Sequence, residues 1–294
     1  VTSTPLFTFA VVGDTRINSA KPDTTRLNIV NKIAELKPAF VVNTGDLVFN
    51  GGDRDDWKGF DKLNKVFRDN AITYYPALGN HDYRGDDGEK DALNNYFQRF
   101  PQINRQRWYA FTHTNCAFIV LDTNFSDLSK EQIKQETNWL GETVAKYQAD
   151  KDISFIFAFF HHPPYTNGTS HNPDEAVQQK FVPIFAKSSK IKFVFAGHVH
   201  TYERFRMNNI NYIVTGGGGA SLASILSPEK WRFKDEYDKN GDKPRGYNFC
   251  QMIITNNSAE LRTYHLITPK KNEWAINETL KEPLPETRNS PQRR

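Results

Sequence analysis

Five short, strongly apolar runs each end abruptly in a Gly or a His, followed by residues able to hold a metal. No other feature limits the chain as much. The runs at residues 6–12, 39–43, 73–78, 153–160 and 191–196 lead into Gly13-Asp14-Thr15-Arg16, Gly45-Asp46, Gly79-Asn80-His81-Asp82, His161-His162-Pro163-Pro164-Tyr165 and Gly197-His198-Val199-His200. Runs of this length and composition read as buried strands, and segments of helical period lie between several of them. Strand, helix, strand order implies parallel pairing. In a parallel sheet the loops beyond the carboxyl ends of the strands share one edge, so these polar clusters are expected to meet although they are far apart in sequence. Five of the eight histidines fall in these loops.

The remaining pattern completes an α/β domain. Helices are expected near residues 24–36, 57–68 and 174–186, and a longer one opens at Ser129, where Ser129 and Gln132 have the spacing of a capping box. Residues 108–112 and 117–121 read as paired strands around a turn at Thr114 and Asn115. Strands at 210–215, 247–255 and 259–267 finish the domain and imply a mixed or second sheet. From Pro269 the sequence turns polar, charged and Pro-punctuated. The expected organisation is therefore a catalytic domain over residues 1–268 and a polar tail over 269–294, lying on the body or partly disordered.

At 294 residues the chain is long enough for one large domain and needs no disulfide framework, so Cys116 and Cys250, far apart in apolar stretches, read as two buried thiols. No run approaches the length of a membrane span. A net charge of +4 suits an anionic substrate and does not require nucleic acid. The glycines at 216–219 lack a following Gly-Lys-Ser/Thr, which excludes a nucleotide P-loop and leaves a turn close to the polar edge. The chain starts at Val1 with no charged and apolar leader, so an export signal is read as removed or never present.

Asp, Asn and His without Cys suit Mn, Fe or Zn. Two such ions bridged by one carboxylate can hold a hydroxide between them and clamp the oxygens of a phosphate ester, which makes phosphoester hydrolysis the natural reaction. A lone Asp after a strand is ordinarily a turn residue. Five such clusters in order are not.

The set GDTR, GDLV, GNHD, HHPPY and GHVHTYER over residues 13–204 resembles the calcineurin-like metallophosphoesterases, and its last motif looks most like the purple acid phosphatase branch. The resemblance implies a four-layer α/β/β/α sandwich of two mixed sheets with two divalent transition-metal ions at one edge. It makes Asp14, Asp46 and His200 ligands of one ion, and Asp46, Asn80, His161 and His198 ligands of the other. His81 would face the substrate and protonate or stabilise the leaving oxygen, with Asp82 holding its ring. His162, Tyr165, His171 and Tyr202 would line the substrate pocket.

Two departures stand out. Arg16 occupies the usual histidine position of the first motif, and a guanidinium has no lone pair to give a metal; it is expected to leave that ion a ligand short and to reach the substrate phosphate instead. Phe49 stands where the purple enzymes carry their tyrosinate, so a divalent pair is expected and no purple colour.

The resulting expectation is a metal-dependent phosphatase acting on small phosphomonoesters, with a hydroxide bridging the ions as nucleophile. A phosphodiesterase is the near alternative, and a non-catalytic scaffold binding a partner protein is the distant one. No nucleic-acid partner is expected, the oligomeric state is left open, and a periplasmic or secreted location is favoured over a cytoplasmic one.

Overall fold

The computed structural model describes residues 4–19, 23–85 and 89–285. Alternation of side chains along the strands builds the architecture. In β5 (Cys116–Val120), Cys116, Phe118 and Val120 point to one cluster and Ala117 and Ile119 to another; in β6 (Phe155–Phe159) the three phenylalanines and the pair Ile156 and Ala158 divide in the same way. Both faces are thus buried, which is why these strands read as unbroken apolar runs.

One sheet has the order β12-β11-β10-β1-β2-β3, with β1 (Phe7–Val12), β2 (Phe40–Asn43) and β3 (Thr73–Pro76) parallel and β10 (Asn248–Ile254), β11 (Ser258–Thr268) and β12 (Glu273–Pro283) antiparallel. The other has the order β4-β5-β6-β7-β9-β8, in which β4 (Tyr109–His113) and β8 (Tyr202–Met207) run antiparallel to their neighbours, while β5, β6, β7 (Ile191–Ala196) and β9 (Ile210–Thr215) are parallel. The sheets meet through aromatic packing, with the Phe9 ring 5.2 Å from those of both Phe118 and Phe157. Helix α1 (Thr24–Glu35) lays Ile29, Val30 and Ile33 into the first cluster, and α5 (Lys130–Ala149) lays Leu140, Val144 and Tyr147 into the second. The result is the four-layer α/β/β/α sandwich of two mixed sheets.

The capping box at the start of α5 is present, with Ser129 and Gln132 each bonding the other's backbone. Cys116 and Cys250 are free, buried thiols. Other details differ from expectation. The helix foreseen over 57–68 is two, α2 (Arg54–Leu63) and α3 (Lys65–Asp69), broken at Asn64, whose side-chain amide donates back to the Phe60 carbonyl. The helix foreseen over 174–186 is likewise α6 (Glu175–Lys180) and α7 (Val182–Phe185), because Pro183 has no N–H to continue α6. Helix α4 (Glu89–Arg99) and strand β8 were not foreseen.

The largest correction concerns the expected tail. Residues 273–283 form β12, the edge strand of the first sheet, paired with β11 from Ser258↔Pro283 to Thr268↔Glu273. Its carboxylates reach across the sandwich: Glu278 takes the Tyr202 hydroxyl and the Arg204 guanidinium, and Glu282 takes Arg206 and the Asn211 amide. The polar composition that suggested a loose tail instead serves a clamp between sheets. Residues 286–294 lie outside the described residues.

Candidate metal centre

The loops after β1, β2, β3, β6 and β7 converge on one edge. Asp14, Arg16, Asp46 and His198 all have left-handed backbone, with φ of 57°, 39°, 56° and 69°. Such conformations are costly for residues with a Cβ and gather at functional sites. Two glycines permit the crowding: a Cβ on Gly79 would lie 2.2 Å from Asp46 Oδ1, and one on Gly197 would lie 2.5 Å from Asp14 Oδ2.

At the centre, His161 Nδ1 lies 2.9 Å from the Thr44 carbonyl oxygen, which can only accept, so Nδ1 carries the ring hydrogen and Nε2 a lone pair. That lone pair faces Asn80 Oδ1 at 3.1 Å, Asp46 Oδ1 at 3.4 Å and His198 Nδ1 at 3.1 Å. At most one hydrogen, on His198 Nδ1, is available among four electron-rich atoms. Burial and the neighbouring imidazoles hold His198 far below the usual histidine range, so its charged form offers no relief. A cation among these atoms would turn the repulsion into coordination. Oxygen and imidazole donors without thiolate fit Mn, Fe or Zn.

A second group lies beside the first. His200 Nδ1 donates to the Ser221 carbonyl at 2.7 Å, leaving the Nε2 lone pair 3.5 Å from Asp14 Oδ1. Here the chain supplies its own positive group: Arg16 Nη1 lies 3.3 Å from His200 Nε2, and Arg16 Nε lies 4.0 Å from Asp46 Oδ2. Burial and the nearby Asp46 charge push the Asp14 carboxyl well above the usual carboxylate range.

His162 and His171 flank the centre, their rings 4.4 Å and 3.9 Å from that of His198. His162 Nδ1 is 3.0 Å from Thr123 Oγ1, and burial, with the His161 imidazole beside it, lowers His162 to about 3. His81 Nδ1 lies 2.6 Å from the Phe49 carbonyl and 3.0 Å from Arg84 Nη1, and Nε2 lies 4.0 Å from Asp46 Oδ2. Chiefly through burial, His81 falls to about 4. Phe49 is 46% exposed, and its ring packs against both His81 and the Arg16 guanidinium. A cleft of about 590 Å³, lined by Asn50, Asn80, Tyr83, Arg84, Gly85 and Asp127, opens beside Asn80.

Three expectations need correction. Asp82 does not hold the His81 ring: its carboxylate is taken up by the backbone N–H groups of Asp46, Leu47 and Gly79, each at 2.9 Å. Tyr202 is fully buried and donates to Glu278, away from the edge. Tyr165 packs against Tyr212 and Phe233, with ring centroids 5.0 Å apart in each case. Both tyrosines follow a motif in sequence but alternate away from it in space. Sequence reading also missed the carbonyls of Thr44, Phe49 and Ser221 that orient three histidines; main-chain acceptors leave no residue signature.

The calcineurin-like phosphoesterase family matches residues 7–202. A phosphoenolpyruvate phosphatase of Allium cepa is 28% identical over 244 residues, covering 76% of this chain and 47% of that protein. Purple acid phosphatase 5 of Arabidopsis thaliana is 28% identical over 233 residues, covering 76% of this chain and 51% of its own length. The chain thus spans about half the length of these relatives. Among solved structures, a purple acid phosphatase from yellow lupin (Lupinus luteus) superposes with a TM-score of 0.70 at 16% identity, covering 95% of this chain and 54% of that one.

Proposed function

This chain belongs to the calcineurin-like phosphoesterase family, and from that premise we propose that it is a metal-dependent hydrolase of phosphate esters, with small phosphomonoesters as substrates. The observation that carries the reading is the cluster of His161 Nε2, Asn80 Oδ1, Asp46 Oδ1 and His198 Nδ1, whose converging lone pairs a cation would bind. An ion bound there would supply Lewis acidity for a phosphoryl oxygen and lower the pKa of water.

The chain's own residues supply the rest. Arg16, about a fifth exposed, and His171, beside His198, would receive the phosphate, since a guanidinium fork fits two phosphoryl oxygens. With Nδ1 held between the Phe49 carbonyl and Arg84, His81 Nε2 faces Asp46 and is the atom placed to take a proton from water and pass it to the departing alcohol oxygen. His162, braced by Thr123, stands beside His198. The monoester preference is supported by a short cleft and a net charge of only +4, which offer no long basic track for a polymeric diester. Retention of His81 and of Asp14, Asp46, Asn80, His161, His198 and His200 argues against a non-catalytic scaffold.

The test is hydrolysis of p-nitrophenyl phosphate and bis(p-nitrophenyl) phosphate by protein loaded with Mn or Zn, with and without a chelator. Monoester turnover that the chelator abolishes is expected. Cleavage of the bis-ester alone would remove the monoester preference, and no turnover of either by metal-loaded protein would remove the enzymatic reading. No helix among the described residues is long and apolar enough to cross a membrane.

A further inference from the structure

The two halves of the centre are unequal, and the inequality lies in Arg16. We infer that the chain takes up a single transition-metal ion, at Asp46, Asn80, His161 and His198, and that the Arg16 guanidinium permanently fills the place in which the family resemblance puts a second. The inference rests on the proposed metal-dependent reading and refines it.

In the first half the lone pairs converge on one another. In the second, the same kind of convergence, His200 Nε2 with Asp14 Oδ1 and the outer oxygen of Asp46, is already met by Arg16. The guanidinium is a cation with no lone pair to give, so it cannot become a ligand. An ion entering this place, among Asp14, His200 and a shared Asp46 oxygen, would meet the Arg16 guanidinium beside those donors.

Arg16 is also not free to leave. Its backbone N–H donates to the Asp46 carbonyl at 2.8 Å, and its carbonyl accepts from Arg26 Nη2 at 2.9 Å. Its left-handed φ of 39° aims the side chain inward, and the exposed Phe49 ring closes over the guanidinium with its centroid 5.3 Å from Cζ. Phe49 and Arg16, the two departures from the family pattern, are therefore in contact and act together. One removes a ligand of the second ion, and the other holds a cation over its place.

In function, the positive charge that a second ion would bring to the phosphoryl oxygens comes instead from a side chain of fixed charge. Metal affinity then governs only one position.

The experiment counts ions. Chelator-treated protein is reloaded with excess Mn, desalted and subjected to elemental analysis, alongside Arg16→His and Arg16→Gln. One Mn per wild-type chain is expected, with the isolated six-line paramagnetic resonance of an uncoupled ion. Arg16→His should take up two per chain and show spin coupling, and Arg16→Gln, neutral and close in length, should admit a second at higher Mn concentration.

Two ions or a coupled spectrum in the wild type would overturn the inference while leaving the metal-dependent reading intact. None in the wild type would overturn that reading itself. One ion in the wild type and in both variants would overturn the role given to Arg16. If Arg16→His fails to fold, Arg16→Gln and the wild-type count still decide.

Discussion

Asp82 Oδ2 accepts the backbone N–H of Asp46 at 2.9 Å, and through this bond the loop after β3 holds the central carboxylate of the loop after β2. The same carboxylate takes the amides of Leu47 and Gly79. Asp82 is therefore a positioning residue. Asp82→Ala would leave the four buried N–H groups of Asp46, Leu47, Val48 and Gly79 without this acceptor, each worth about 1–3 kcal/mol. A loss of about 3 kcal/mol or more is expected in urea unfolding of the metal-free protein, together with weaker metal uptake. Metal affinity and stability both equal to wild type would show that these bonds position nothing.

Metal should stabilise the fold through the four converging atoms. An ion at one hundred times its dissociation constant adds about 2.7 kcal/mol, so Mn or Zn is expected to raise the melting temperature by several degrees and a chelator to reverse the change. Asn80→Ala should abolish the metal-dependent shift. It should cost the metal-free protein little, because it removes an acceptor that faces the His161 lone pair. Calorimetry with and without metal reads both effects.

Glu203 gives a pH dependence separate from the centre. It is fully buried, accepts from Thr166 Oγ1 and the Asn167 amide, and burial raises it to about 7 from an ordinary 4.5. The folded state therefore binds a proton that the unfolded state has released, and stability falls as pH rises between those two values. Integrated over that interval, the loss is on the order of 3 kcal/mol. Glu203→Gln should flatten this segment of the profile and be more stable than wild type at pH 8. Parallel profiles for the two proteins by urea unfolding would refute the assignment.

The clamp from β12 should be unequal along its length. Glu278 and Arg204 are both largely buried, with Tyr202 on the second carboxylate oxygen, so Glu278→Ala leaves a guanidinium and a hydroxyl without their partner. Breaking a buried pair from one side costs about 3–5 kcal/mol. Glu282→Ala should cost less, because Arg206 is more than a third exposed and water can replace its partner. Equal losses from the two substitutions, measured by urea unfolding, would contradict this order.

The strands that carry the centre were legible because burial on both faces leaves an unbroken apolar signature, and each ends where a polar residue must follow. Helix breaks at Asn64 and Phe181 were less legible, since a helical period continues across one non-helical residue. The strand at 273–283 was hidden by its own composition: an edge strand whose charged residues meet arginines of the opposite sheet looks like a solvated tail until those arginines are in view.

By itself the sequence determined the alternation of buried strands and helices, the carboxyl-end placement of Asp14, Asp46, Asn80, His161, His198 and His200, and the substitution of Arg16 and Phe49 at two positions. These are local properties, carried by residue type and spacing. Only the tertiary structure decided which lone pairs face one another, that Asp82 binds amides rather than an imidazole, that Tyr165 and Tyr202 turn away, and that Arg16 lies on His200 under the Phe49 ring. Each of these depends on the direction of a side chain relative to a partner tens to hundreds of residues distant, and direction is fixed only when the two sheets pack.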